Sequence, residues 1–91
     1  MLASEFRGKE VFAGGMNLIG TVDDLIIDIQ SYALTDLTVK LRKDAARKIF
    51  GKSFTLWGTR VRIPISAVDK VGDSIVLRFT VDKLGEQVQK L

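Results

Sequence analysis

The side chains that most often perform catalysis are missing from this chain, because its 91 residues include no histidine and no cysteine. Histidine is the commonest general base and metal ligand, and cysteine supplies thiolate nucleophiles and ligands. The serines therefore have no histidine to activate them, and disulfides, zinc–thiolate sites and iron–sulfur clusters are excluded. The sequence predicts a protein that is not an enzyme and that binds no metal and no cofactor.

Three aspartates, Asp23, Asp24 and Asp28, are the remaining candidates for binding a hard cation. Consecutive residues of a strand point to opposite faces, so Asp23 and Asp24 would not face one ion. No glycine-containing loop of the calcium-binding type surrounds them. The pattern is more typical of a solvated strand than of a metal site.

The charge of the chain is concentrated in its middle. The segment from Lys40 to Arg62 contains eight basic residues and one acidic residue, a net charge of +7 in a chain whose total is +3. Such a basic middle with acidic flanks predicts an acidic partner, contact with a second copy, or nucleic-acid binding. The candidate nucleic-acid-binding residues are Lys40, Arg42, Lys43, Arg47 and Lys48.

Short alternating strands with glycine turns account for most of the chain, and one of them changes phase. Val22 lies on one parity of the segment 19–30. The later apolar residues lie on the other parity: Leu25, Ile27 and Ile29. A β-bulge at Asp23 and Asp24 would place all of them on one face, because one extra residue flips every later side chain.

The remaining pattern predicts a fold of the all-β class, built mainly from β-strands. Strands are expected at 33–41 and 60–65, and a hairpin is expected at 68–79. A short helix is expected between Asp44, its N-cap, and Gly51, where it stops. The tail predicts an amphipathic helix over 81–91 whose apolar stripe is Val81, Leu84, Val88 and Leu91. Together they indicate one domain, 1–91, with a small and highly bent barrel over about residues 8–80.

Two apolar sets are candidates for contacting other chains. The aromatic residues Phe50, Phe54 and Trp57 lie within the basic segment, where Arg60 and Arg62 could orient a partner. Core packing is an equal alternative for Trp57. The tail stripe either covers its own barrel or forms a dimerisation seam, and we expect a homodimer.

Four segments, in this order, resemble the PRC-barrel domain. They are Gly8-Lys9-Glu10-Val11, Ile19-Gly20-Thr21-Val22-Asp23-Asp24, Val61-Arg62-Ile63-Pro64 and Val71-Gly72-Asp73. Each segment alone would be a weak signal, and their order along residues 8–80 makes the match specific. The motifs mark turns and strands, so they indicate a fold more strongly than a function.

The chain is most similar to short single-domain archaeal PRC-barrels, which also carry an insert like Asp44 to Lys48. That resemblance implies an adaptor that binds proteins, since some members are cell-division components that bind SepF, the membrane anchor of FtsZ, or pair with sister PRC-barrels. The alternative is an RNA- or ribosome-associated module like the ribosome-maturation PRC-barrels. The segment 1–7 has no apolar signal-peptide core, so we expect a cytoplasmic protein. The resemblance further implies that it acts at the division site.

Overall fold

Seven strands form one mixed sheet in the computed structural model, which describes residues 3–50, 59–86 and 88–90. The strands are β1 (Glu10–Ala13), β2 (Asn17–Asp28), β3 (Ala33–Leu41), β4 (Thr59–Pro64), β5 (Val68–Val71), β6 (Ile75–Leu77) and β7 (Gln89–Lys90). Two helices, α1 (Lys43–Phe50) and α2 (Val81–Leu84), and two 3-10 turns, Ala3–Glu5 and Ile65–Ala67, complete the fold.

The strand order across the sheet is β5-β6-β1-β2-β3-β4-β7, and all neighbours are antiparallel except β1 and β6. The edge strands β5 and β7 do not pair with each other within the described ranges, so the sheet is open. The mainly β fold with short helices agrees with the prediction, and its single sheet is consistent with a small PRC-barrel-like fold.

A long hairpin of β2 and β3 forms the centre of this sheet. Val22 pairs with Val39 and Asp24 pairs with Thr38, so Asp23 is an extra residue on β2. The predicted bulge is therefore confirmed. A bulge bends its strand and increases the local twist, which is what a strongly curved small sheet requires.

The strands on either side of the hairpin are offset from each other. β1 pairs with β2 between Asn17 and Thr21, whereas β4 pairs with β3 between Asp36 and Leu41. Both neighbours leave residues 27–34 uncovered, and this end of the hairpin extends past the adjoining strands. Ile27 and Ile29 are consequently exposed, although their parity had placed them on the inner face with Val22.

One apolar core lies between the inner face of the sheet and the two helices. Its fully buried large side chains are Val11, Ile19, Leu37, Val39, Val61, Ile63, Ile75, Leu77 and Leu84. α1 contributes Ala45 and Ala46, both 4% exposed. Small residues on this helix face let the helix lie close to the sheet.

The tail helix is shorter than the predicted 81–91. α2 ends at Leu84, and Gly85 and Glu86 form a turn before Gln89 and Lys90 pair with β4. Gly85 favours such an ending because glycine in a helix interior costs about 1 kcal/mol relative to alanine. Leu91 lies outside the described residues.

The inserted helix also differs slightly from the expected one. It begins at Lys43, so Asp44 lies in its first turn and is not the N-cap. An acidic residue in the first turn still interacts favourably with the partial positive charge of the helix N-terminus. Gly51, the predicted stop, lies outside the described ranges.

Gly20 lies against the backbone of β3 with no room for a side chain, and we predict that Gly20→Ala destabilises the fold. An added Cβ would collide with the carbonyl oxygen of Lys40 and lie 3.0 Å from the Cα of Leu41. Both are backbone atoms of the paired strand, so relief requires the ladder to move. We expect the free energy of unfolding to fall by about 1–3 kcal/mol in urea denaturation.

Gly72→Ala is the matched control, because a Cβ at Gly72 meets nothing within 4 Å. Its free energy of unfolding should stay within about 0.5 kcal/mol of the wild type. Equal stability of the two variants would show that the close approach at Gly20 is not required.

Candidate functional site

The uncovered end of the β2–β3 hairpin is the most apolar exposed part of the described chain. We call residues 27–32 the hairpin tip. Tyr32 is 88% exposed, Ile29 is 81% exposed and Ile27 is 54% exposed. Single exposed apolar residues are ordinary, but three within six residues at one end of the hairpin make that end a candidate contact surface.

The backbone of the hairpin tip is held by a local polar network. The carboxylate of Asp28 accepts a hydrogen bond from the backbone N–H of Gln30 at 3.0 Å and another from the hydroxyl of Ser31 at 3.1 Å. This aspartate-led turn presents the apolar side chains on an ordered backbone. Asp28 is exposed and forms no ion pair among the described residues.

Tyr32 adopts an unusual backbone conformation within this turn. Its φ is 55°, in the left-handed region that glycine and asparagine adopt more readily. A tyrosine there costs about 1–2 kcal/mol relative to glycine. Met16, on another turn, has a similar φ of 64°, so the fold tolerates this strain at two exposed apolar residues.

A groove with a basic rim lies at the opposite end of the same hairpin. Its volume is about 510 Å³, and it is lined by Leu18, Gly20, Thr21, Lys40, Leu41, Arg42 and Lys43. We call it the basic groove. Arg42 lies 3.5 Å from the Asp44 carboxylate. Lys40 and Lys43 are exposed and have no ion pair within the described part of the chain.

The five predicted nucleic-acid-binding residues are all exposed. Lys40 and Arg42 lie at the end of β3, Lys43 begins α1, and Arg47 and Lys48 lie on its solvent face. Ala45 and Ala46 take the buried face of the helix, which leaves the basic positions outward. The structure thus brings these five cations to one end of the sheet.

The two arginines predicted to orient a partner, both on β4, form ion pairs with aspartates of β2 and β3. Arg62 lies 3.1 Å from the Asp36 carboxylate, and Arg60 lies 3.3 Å from that of Asp23. These ion pairs connect β4 to the two strands of the hairpin. Thr38 pairs with Arg62 in register and is 7% exposed, and its hydroxyl has no hydrogen-bond partner among the described residues.

The other predicted contact residues have different surroundings. Phe50 is half-buried and packs against the core, and Phe54 and Trp57 lie outside the described residues. Three members of the tail stripe are buried in the chain's own core: Val81 (9% exposed), Leu84 (0%) and Val88 (9%). Dimerisation through the tail stays a prediction, and in one copy these side chains already have apolar neighbours.

Asp24 has the one resolved pKa shift in the described chain. The backbone N–H of Leu25, 2.8 Å from the carboxylate, is the largest cause and holds the pKa of Asp24 below its ordinary value. The guanidinium of Arg7, 3.4 Å away, lowers it further. Both partners stabilise the charged carboxylate.

Metal binding and membrane spanning are two further functions on which the described residues bear. These residues contain no group of three or more histidine, cysteine, aspartate or glutamate side chains placed to hold a metal ion. Within the same ranges, no helix has the length and apolar character needed to cross a membrane.

Comparison with protein-family models identifies the class of protein. The model of the PRC-barrel domain matches residues 1–84, and the chain therefore belongs to the PRC-barrel family. The predicted resemblance is confirmed at this level. PRC-barrel domains are generally small, non-catalytic binding modules that often mediate protein interactions. A search of curated proteins gives no match.

The hairpin tip was not among the predicted contact residues. The signal available in the sequence was the apolar alternation that continues through Ile29 into a turn containing Tyr32, where polar residues are usual. The exposure of the five basic residues was predictable because charged side chains lie at the surface of most folds, and their role in binding stays a prediction. The ion pairs of Arg60 and Arg62 depend on strand register, which the sequence pattern does not supply.

Arg7→Gln should raise the pKa of Asp24 only part of the way to its ordinary value, because the Leu25 N–H remains. A carboxylate with a lowered folded-state pKa stabilises the fold above its unfolded pKa, and the contribution is lost as the pH falls through the folded pKa. NMR titration of the Asp24 carboxyl carbon measures the shift directly. Full return to the ordinary value would show that Arg7, and not the backbone N–H, is the main cause.

Proposed function

We propose that this PRC-barrel domain is a non-enzymatic, protein-binding adaptor that contacts its partner through the hairpin tip. The exposed apolar tip carries this proposal: Ile29 and Tyr32 are more than four-fifths exposed at the projecting end of an ordered hairpin. Tyrosine is among the residues most enriched at the energetic centres of interfaces.

Folding alone does not account for these residues at the tip. Neither contributes to the buried core, and the backbone at Tyr32 favours a different residue type. Burial of both side chains against a partner would offset the cost of their exposure in the free chain.

For the particular partner, we propose SepF or a sister PRC-barrel, which would make the chain an archaeal cell-division adaptor. Support for this assignment comes from the resemblance to the short archaeal members of the family. Phe50, Phe54, Trp57, Arg60 and Arg62 remain the proposed secondary contacts in this assembly. If Arg60 and Arg62 take part, they must exchange their present aspartate partners for partner carboxylates.

Ile29→Ser combined with Tyr32→Asn should weaken partner binding by about tenfold or more, because two apolar anchors are lost. The same change should not lower the free energy of unfolding, since asparagine adopts the left-handed region more readily than tyrosine. Isothermal titration with purified SepF and purified sister PRC-barrels measures the first effect, and urea denaturation measures the second.

Met16→Ser is the matched control, because Met16 is 67% exposed on a different turn. It should leave partner binding unchanged. Equal loss of binding in the control, or unchanged binding in the tip variant, would contradict a contact surface at the hairpin tip. Failure of SepF and of the sister domains to bind would reject the cell-division assignment. Photo-crosslinking from position 30 would then identify other protein partners of the hairpin tip.

A second candidate function is an RNA- or ribosome-associated module, favoured by the five exposed cations at one end of the sheet. Arg47→Gln with Lys48→Gln should then weaken RNA binding and reduce the slope of log affinity against log salt by about 1 for each lost phosphate contact. Filter binding across a salt series tests this. The control is Lys70→Gln with Lys83→Gln, which removes the same charge elsewhere on the exposed surface.

A further inference from the structure

The basic groove has the physical character of a receptor for an acidic and apolar segment. Its volume of about 510 Å³ lies within the range of roughly 300–1,000 Å³ typical of ligand-binding clefts. Leu18 and Leu41 give it apolar walls, and Gly20 contributes no side chain that would fill it. Lys40 and Lys43 supply positive charge at its rim and form no ion pair among the described residues. The third basic side chain of the lining, Arg42, lies 3.5 Å from the Asp44 carboxylate.

The hairpin tip has the complementary character. Ile27, Ile29 and Tyr32 present apolar side chains, and Asp28 adds a carboxylate without a cationic partner in the described chain. The two hydrogen bonds that Asp28 accepts come from its own turn and leave its negative charge uncompensated. An apolar segment with an acidic residue thus matches an apolar groove with a basic rim in both respects.

The two complementary features cannot meet within one copy of the chain. The groove includes Gly20, which pairs with Leu41, and the tip includes Asp28, which pairs with Ala33. Eight residues of extended strand separate these pairs along β2, a distance of about 25 Å. The ladder between β2 and β3 runs from Gly20 to Asp28 with two register shifts and prevents the tip from folding back onto its own groove.

We propose that the hairpin tip of one copy docks into the basic groove of a second copy, so that the chain assembles head to tail. This inference rests on the proposed protein-binding role of the tip and names a second copy as its occupant. Because the two contacting surfaces differ, an open assembly of any length still has a free tip at one end and a free groove at the other. Such a heterologous contact generates a ring or an open series, and not a closed symmetric pair.

The decisive experiment uses two variants that disable opposite ends. The tip variant carries Ile29→Ser and Tyr32→Asn, and the groove variant carries Lys40→Glu and Lys43→Glu. Sedimentation equilibrium at low salt measures the mass of wild type, of each variant alone and of an equimolar mixture. Far-UV circular dichroism and thermal unfolding verify that both variants are folded.

The wild type should show an average mass that rises with concentration beyond two chains. Each variant alone should associate at least about tenfold more weakly. The mixture should recover association but stop at two chains, because only one intact tip and one intact groove are then available. High salt should weaken the wild-type association, since charge contributes to the contact.

Charge reversal supplies an independent test of the pairing. Asp28→Lys should weaken association, and mixing it with the groove variant should restore attraction between the two reversed surfaces. The control, Lys70→Glu with Lys83→Glu, makes the same change in net charge at exposed sites outside the groove lining. This control should associate like the wild type.

Three results would overturn the proposal. They are a wild type that stays monomeric at all concentrations, one that stops at two chains, and a mixture of tip and groove variants that does not associate. If RNA binding depended on Lys40 and Lys43 while self-association was absent, the groove would belong to the RNA-binding alternative. A monomeric wild type that still loses SepF or sister-domain binding through the tip variant would reject self-association and leave the proposed function standing.

Discussion

The pairing of β2 with β3 is the constraint on which the rest of this structure depends. It is the longest ladder in the sheet, and Gly20 and the bulge at Asp23 determine how closely and with what bend the two strands run. β1 pairs with β2 from Asn17 to Thr21, and β4 pairs with β3 from Asp36 to Leu41, so both strands flank the pair of Gly20 and Leu41. Neither strand reaches residues 27–34, which leaves the far end of the hairpin uncovered. The exposed tip is therefore a consequence of this strand register, whereas the basic groove lies where β3 ends and α1 begins.

The sequence pattern predicted the strands and the bulge because both follow from local alternation. The change of parity after Val22 required one extra residue, and the structure places it at Asp23. The same pattern gave the wrong environment for Ile27 and Ile29. Alternation reports which face a side chain occupies, but it does not report whether another element covers that face. Coverage depends on the lengths and offsets of β1 and β4, which are set by long-range pairing.

The tail shows that apolar spacing predicts burial better than it predicts local conformation. Apolar spacings of three, four and three residues fit a helix, yet α2 has only four residues and is followed by a turn and β7. Val81, Leu84 and Val88 nevertheless all reach the core, because a short helix followed by an extended segment can bury the same side chains. The apolar pattern thus predicted burial correctly and local conformation only in part. The ion pairs of Arg60 and Arg62 were not predictable, since each joins residues from strands that are distant in sequence.

The division between core and surface supports a binding role for this member of the family. A chain of this size needs most of its apolar side chains for its core, because a small domain buries a smaller share of its surface than a large one. Here the helices, the tail and the inner face of the sheet supply the core. Ile29 and Tyr32 are left outside it, on a turn where polar residues would cost less. An apolar surface that the fold does not use for its own stability, held on a hydrogen-bonded turn, is what an interaction module needs. Because Ile29 and Tyr32 lie outside the core, the proposed contact surface can change in sequence without altering the core, which would give one small fold access to different partners.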